Sequence, residues 1–343
     1  TQGVSSAASD VYKRQLHMPT PLSSTYRNRL QAITSDARDE ATAICRTALE
    51  NLAVHEADYR SHMSVEQRQL RNRLRARGRA MGDVQDERGN LTLKHLAEEA
   101  AYEHWHRLLF TRFLAENHLL ITDEANGSVP VTLEECQELA SELGAKDGFD
   151  LACRFASTTL PGVFRRDDPI LELNFPANDR KKLRDLLDSI PQEVFTASDS
   201  LGWTYQFWQT NRRQEVNESG VKYGADEISP VTQLFTEDYM VDFLLDNTLG
   251  AWWAGKALSG DPKLASNANS EEELRQSVSL PDCPWKYLRF IKGEDGKWSP
   301  AAGTFDGWPK TTKELTCLDP CMGSGHFVVA MFERLVALRI AEE

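Results

Sequence analysis

A mainly α N-terminal region followed by the opening of a doubly wound α/β domain is the fold that this sequence predicts. Three observations point to it. Apolar residues recur at steps of three and four over 22–54 and 91–120, the mark of amphipathic helices. Near the end, a short apolar run, Leu315-Thr316-Cys317-Leu318, leads into an acidic residue and a glycine turn. The stretch from Val328 to Ile340 that follows is apolar almost all round, which predicts a helix buried on most faces.

The chain has 343 residues, of which 41% are hydrophobic and 27% charged, an ordinary globular balance with room for two domains. No run of apolar residues is long enough to span a bilayer. The first fifteen residues resemble a translated sequencing adapter, so residues 1–21 are set apart as non-native. The helical domain is then expected over 22–230 and the second domain over 231–343. The six cysteines (Cys45, Cys136, Cys153, Cys283, Cys317, Cys321) are scattered. Cys317 and Cys321 lack a second pair of ligands at zinc spacing, so no metal site is expected. Reduced thiols in a cytoplasm fit this pattern.

The net charge of −13 argues against indiscriminate nucleic-acid binding but leaves room for a local basic groove. Arg68, Arg71, Arg73, Arg75, Arg77 and Arg79 crowd one stretch. They read as a solvated helix face or mobile arm, with phosphate contact as the sharper alternative.

In order, the first helix carries Leu30, Ile33, Ala37, Ala41, Ile44, Ala48 and Leu52 on one side. The Arg-rich stretch follows, broken by Gly78 and Gly82. The helix over 91–120 has Leu96, Ala100, Trp105, Leu108, Leu109, Phe113 and Leu114 as its stripe. Its histidines, His104 and His106, with His118 just after, read as packed or surface residues. Shorter helices are expected over 133–143, 178–188 and 201–212. A third long helix should run over 237–258, with Thr236 as its N-cap and Glu237 and Asp238 at the positive end of its dipole. The polar segment 259–282 reads as a surface insertion or linker, and Gly293–Gly296 as a turn.

The chemistry lies at the end. In Asp319-Pro320-Cys321-Met322-Gly323-Ser324-Gly325-His326-Phe327, an acidic residue after a strand faces the ligand crevice of a doubly wound sheet and can meet an α-amino group. Gly323 and Gly325 permit close approach and positive φ. The first amides of the next helix can receive a carboxylate. An amino-acid-like ligand has both groups, and the methionine half of S-adenosyl-L-methionine is one. Neither the nicotinamide fingerprint nor a P-loop fits, since position 328 is Val and no G-K-[ST] follows.

This string resembles motif I of the amino-methylating DNA methyltransferases, whose usual form is D-P-A-C-G-S-G-x-F; Cys321 and Met322 stand where Ala and Cys are common. Gln233-Leu234-Phe235-Thr236 with the following helix resembles motif X of the same enzymes, with Thr236-Glu237 in place of the usual Thr-Pro. Segments 101–113 and 201–208 resemble the helical N-terminal region of large phage-defence enzymes of the PglX type and of fused restriction–modification methylases.

The resemblance implies the start of a Rossmann-like S-adenosylmethionine-dependent methyltransferase domain. It implies site-specific adenine N6-methylation of double-stranded DNA, in restriction–modification or phage defence, with other defence subunits as further partners. It makes Thr236, Asp319, Pro320, Cys321, Gly323, Ser324, Gly325 and Phe327 the cofactor-binding residues. The N-P-P-Y or D-P-P-Y tetrapeptide that such enzymes place after motif I does not occur here; Asn174-Phe175-Pro176-Ala177 precedes motif I and lacks the aromatic. The chain therefore reads as an incomplete, inactive part of such an enzyme, without catalytic residues of its own. A methyltransferase acting on RNA or protein, and a non-catalytic helical binding fragment, are the alternatives.

Overall fold

The computed structural model describes residues 20–343 except 124, 126, 221, 223, 225–227, 229, 230, 233, 282, 323 and 324. The chain divides into two compact units between residues 230 and 231, and both are built mainly from helices.

In the first unit, α1 (Ser24–Asn51) begins where Ser23 accepts the Tyr26 amide. It buries Leu30, Ala37, Ala41, Ile44 and Ala48, the face its spacing predicts. That face packs on α3 (Lys94–Glu116) and on α8 (Ser200–Trp208). No side chain of its own caps α3. The buried Asp83 serves instead, accepting the amides of His95 at 3.1 Å and Leu96 at 2.9 Å. On α3, Leu96, Trp105, Leu109 and Leu114 are buried as expected, whereas Leu108 and Phe113 are half-buried.

The Arg-rich stretch is not an arm, and it is a solvated helix face only in part: Arg73 and Arg79 are exposed, whereas Arg71 and Arg75 are buried. It forms α2 (Val65–Ala80), opened by a reciprocal Ser64–Gln67 capping box. Gly78 lies inside this helix, where an added Cβ would come within 3.2 Å of Asp83 and Leu91; the chain turns at Gly82, at φ +99°. Arg71 is 3% exposed and Arg75 6%. Arg71 donates from Nε to the Ala53 carbonyl at 2.8 Å, and from Nη2 to Ala57 and Asp58 at 3.1 Å. Arg75 donates to Val54 at 2.6 Å and Gly89 at 2.7 Å, and both arginines reach the Glu56 carbonyl. A loop with no ladder of its own thus has its carbonyls satisfied by two guanidinium groups. Arg73 pairs with Glu172 and Arg77 with Asp168, while Arg68 stacks on Tyr59.

Between α3 and α8 lie α4 (Leu133–Leu139), α5 (Gly148–Thr159), α6 (Ala177–Asp188) and α7 (Gln192–Phe195), and α9 (Thr210–Ser219) follows α8. The sequence reading missed α5, whose cap is Asp147 and whose buried side holds Leu151, Ala152, Phe155 and Ala156. His104 sits against Phe175 with Nε2 3.1 Å from the Ile170 carbonyl, and desolvation pulls it down to about 4. It is a packed residue beside a cavity of about 190 Å³.

In the second unit, α10 (Asp238–Leu245) passes through one π turn, Asp246–Gly250, into α11 (Ala251–Gly260). Glu237, not Thr236, is the N-cap residue, and it makes no side-chain cap bond. The helix therefore starts one residue later than Thr236 would have set it. Of the two readings of the segment 259–282, a bare linker does not hold, because the segment is helical. It forms α12 (Pro262–Asn267) and α13 (Glu271–Val278), which bury Ala265, Leu274 and Val278. Four-residue spacing of Leu274 and Val278 is enough to seat a short helix otherwise made of polar residues. The core gathers Leu249, Trp252, Leu274, Trp285, Leu288, Phe290 and Leu338. At Gly250 an added Cβ would come within 2.9 Å of the Trp285 ring.

Among the described residues the one sheet is an antiparallel hairpin of β1 (Phe290–Lys292) and β2 (Trp298–Pro300), with Phe290 opposite Pro300. It closes through the turn predicted at Gly293–Gly296. Leu315 to Leu318 do not form the expected strand, because a strand exists only through pairing and no described residue pairs with them. The last helix, α14 (His326–Glu342), has only Leu338 buried, and Val329, Phe332 and Ile340 are exposed; its apolar character does not translate here into burial on most faces. No helix among the described residues is long and apolar enough to cross a membrane.

Replacing Arg75 by Met should destabilise the first unit by about 2 kcal/mol, because several buried carbonyls lose their donor. Urea unfolding followed by hydrogen exchange in residues 24–116 measures this. An unchanged midpoint would contradict a structural role for the arginine.

Candidate functional site

The sequence nominates two segments far apart in the chain, and the second unit brings them together. One is the extended stretch 234–237 leading into α10; the other is the turn leading into α14. The two helices pack on each other, with Asp238, Asp242 and Asp246 spaced one helical turn apart along α10 and its π turn.

Arg334 of α14 pairs with Asp242 and lies 3.5 Å from Asp246. Asp246 is 1% exposed, and its other oxygen accepts the Tyr287 amide at 2.9 Å. Next to it, Asn247 donates to the Tyr287 carbonyl at 2.9 Å and accepts the Arg289 amide at 3.1 Å. The π turn thus presents two adjacent polar side chains to the segment entering β1, as π turns at special sites commonly do. Removing Arg334 would leave a buried carboxylate short of its cation, a loss of about 3–5 kcal/mol where such pairs are broken.

At the start of α14, Gly325 adopts φ +88°, a conformation suited to glycine. Its amide donates to Met322 at 2.8 Å and its carbonyl accepts Val329 at 3.0 Å. No side chain caps this helix, so its leading amides are left as donors. Asp319 is half-buried and accepts the Cys321 amide at 2.9 Å through one oxygen, which makes a tight Asx turn. Pro320 and Cys321 are exposed, Phe327 is half-buried, and Leu318 is 84% exposed. Cys317 and Cys321 are free thiols. Gly323 and Ser324, both nominated from the sequence, lie outside the described residues, as does Gln233.

Thr236 is half-buried, and its neighbours on both sides reach α14. The Phe235 ring lies tilted against the His326 ring, with centroids 5.3 Å apart. Asp238 Oδ1 lies 3.2 Å from His326 Nε2. The sequence reading missed His326, Asp238, Asp242, Asp246 and Arg334 as members of this site. One signal was present: acidic residues at i, i+4 and i+8 mark one helix face.

Burial lifts the Asp246 carboxyl above its ordinary range, against the pull of the Tyr287 amide and Arg334. A carboxyl raised in this way lends stability that is fully present below its unfolded pKa and lost as pH rises through the folded one. Asp246→Asn should therefore gain on the native chain as pH is raised over the range above about 4. Urea unfolding read by exchange in 271–292 tests this, and a constant difference across that range would contradict the raised pKa.

No family model matches the chain, and no solved structure matches it. Two curated proteins do. The adenine-specific methyltransferase PglX of Lacticaseibacillus casei (strain Zhang) is 26% identical over 317 residues, covering 82% of this chain and 25% of the relative. The adenine-specific methyltransferase BrxX of Escherichia coli O9:H4 (strain HS) is 27% identical over 189 residues, covering 54% and 14% respectively. The chain spans a quarter or less of the length of these relatives. It is similar, over most of its own length, to adenine-specific methyltransferases of the PglX and BrxX type.

Proposed function

We propose that this chain carries the S-adenosyl-L-methionine-binding opening of a site-specific DNA adenine N6-methyltransferase. The observation that carries this reading is the junction of α10 and α14, where the Thr236 segment and the Asp319–Phe327 segment converge on one another. The similarity to PglX and BrxX supports it.

The residues present fit an amino-acid-like group. Asp319 has an oxygen not used by the Cys321 amide and would face the α-amino group. The uncapped amides at the start of α14 and the Thr236 hydroxyl would receive the carboxylate, since helix N-termini favour anions. Gly325, with no Cβ at φ +88°, leaves the backbone open to close approach, and Gly323 and Ser324 belong to the cofactor-binding set of the same reading. Pro320 and Cys321 shape the turn, and Phe327 would pack behind the cofactor. When bound, the cofactor supplies an activated methyl group. The residues of this chain contribute proximity and orientation. The acceptor would be an adenine of double-stranded DNA swung out of the stack. A Rossmann-like methyltransferase domain, in which Leu315–Leu318 would take up the strand pairing they lack here, and a cytoplasmic setting in phage defence or restriction–modification, with partner defence subunits, belong to the same reading.

Isothermal titration of the chain with S-adenosylmethionine tests the proposal. The native chain should bind, Asp319→Ala should weaken binding by roughly tenfold or more, and Gly325→Val should abolish it while leaving exchange protection in residues 24–116 unchanged. Absence of binding to the native chain, or tight binding by Gly325→Val, would refute the assignment.

A further inference from the structure

The motif resemblance assigns Thr236, Asp319 and the glycine turn, and leaves His326 without a role. His326 is the first residue of α14, directly after Gly325. Its Nε2 lies 3.2 Å from Asp238 Oδ1, a close approach without the alignment of a hydrogen bond, and its ring lies 5.3 Å from that of Phe235, tilted by 48°. Phe235 immediately precedes Thr236, and Asp238 follows it by two positions. One imidazole therefore grips the chain on both sides of Thr236. The two contacts differ in kind: an apolar side chain at 326 would keep the packing on Phe235 but lose the carboxylate, and a polar chain without a ring would do the reverse. Both His326 and Asp238 are partly screened from water, at 31% and 25% side-chain exposure, where a polar pair is worth more than on an open surface.

Other contacts between the helices lie further along. Arg334 meets Asp242 and Asp246 well past the first turn of α14 and can hold the helices together without fixing the stretch before α10. The contacts of His326 are thus well placed to fix where Thr236 sits relative to Gly325.

Resting on the cofactor reading above, we infer that His326 is a positioning residue for the methyl donor: through Asp238 and Phe235 it sets the place of Thr236 relative to Gly325, and it touches no reacting atom. The test uses the full chain and two readouts, titration with S-adenosylmethionine and hydrogen exchange of residues 234–245 without ligand. His326→Ala should weaken binding by roughly tenfold and speed exchange in 234–245, with 271–292 unchanged as the control for folding. His326→Gln, which keeps a polar nitrogen at similar reach, should recover much of the affinity. The double variant His326→Ala with Asp238→Ala should bind no more weakly than His326→Ala alone, as expected of residues acting as one unit. Native affinity in His326→Ala, or additive losses in the double variant, would overturn the inference. If the native chain fails to bind but His326→Ala still speeds exchange in 234–245, the cofactor reading falls and the gripping contact stands. Unchanged exchange in that variant overturns the contact itself.

Discussion

The buried Asp246 carboxylate is the constraint on which the second unit depends. A carboxyl so far from water needs both a charge partner and a hydrogen-bond donor. Here the cation comes from Arg334 on α14 and the donor from the Tyr287 amide. Satisfying one side chain therefore fixes two partners: the last helix and the segment that enters the hairpin. The π turn makes this geometry accessible, and Gly250 at its end lets the backbone approach Trp285. From that anchor, α14 runs back toward its start, where His326 meets the residues on both sides of Thr236.

The first unit solves a related problem with the charges reversed. Arg71 and Arg75 are buried, and their partners are backbone carbonyls of a loop that has no ladder to satisfy them. A cation-rich stretch in an acidic protein invites a reading as a nucleic-acid contact. The geometry instead spends these two guanidinium groups on the fold, and the carboxylates of Glu172 and Asp168 engage Arg73 and Arg77.

These cases mark where the sequence was legible. The helices α1 and α3 could be read because their apolar faces repeat at steps of three and four, and Gly293–Gly296 because its turn chemistry is local. Nothing local distinguishes Arg71 from Arg68, since burial depends on a loop contributed by 53–58. The helices α12 and α13 were hidden because Leu274 and Val278 are few among polar neighbours. Leu315–Leu318 has the composition of a strand, yet a strand is a property of pairs. In the site, Thr236, Asp319 and Gly325 were nominated by motif, whereas His326 and Arg334 became visible only when α10 and α14 came together. The exposed apolar side chains of α14, Val329, Phe332 and Ile340 among them, show how far helix composition alone can mislead about burial.

The central claim is that the segments on either side of this junction cradle the methionine part of S-adenosylmethionine. A crystal structure of the chain with S-adenosylhomocysteine, the demethylated cofactor, tests it most directly. The account predicts ligand density with the α-amino group at Asp319, the carboxylate at Thr236 and the first amides of α14, and Gly325 in contact with the ligand. Density seated elsewhere, or none at saturating ligand, would contradict it.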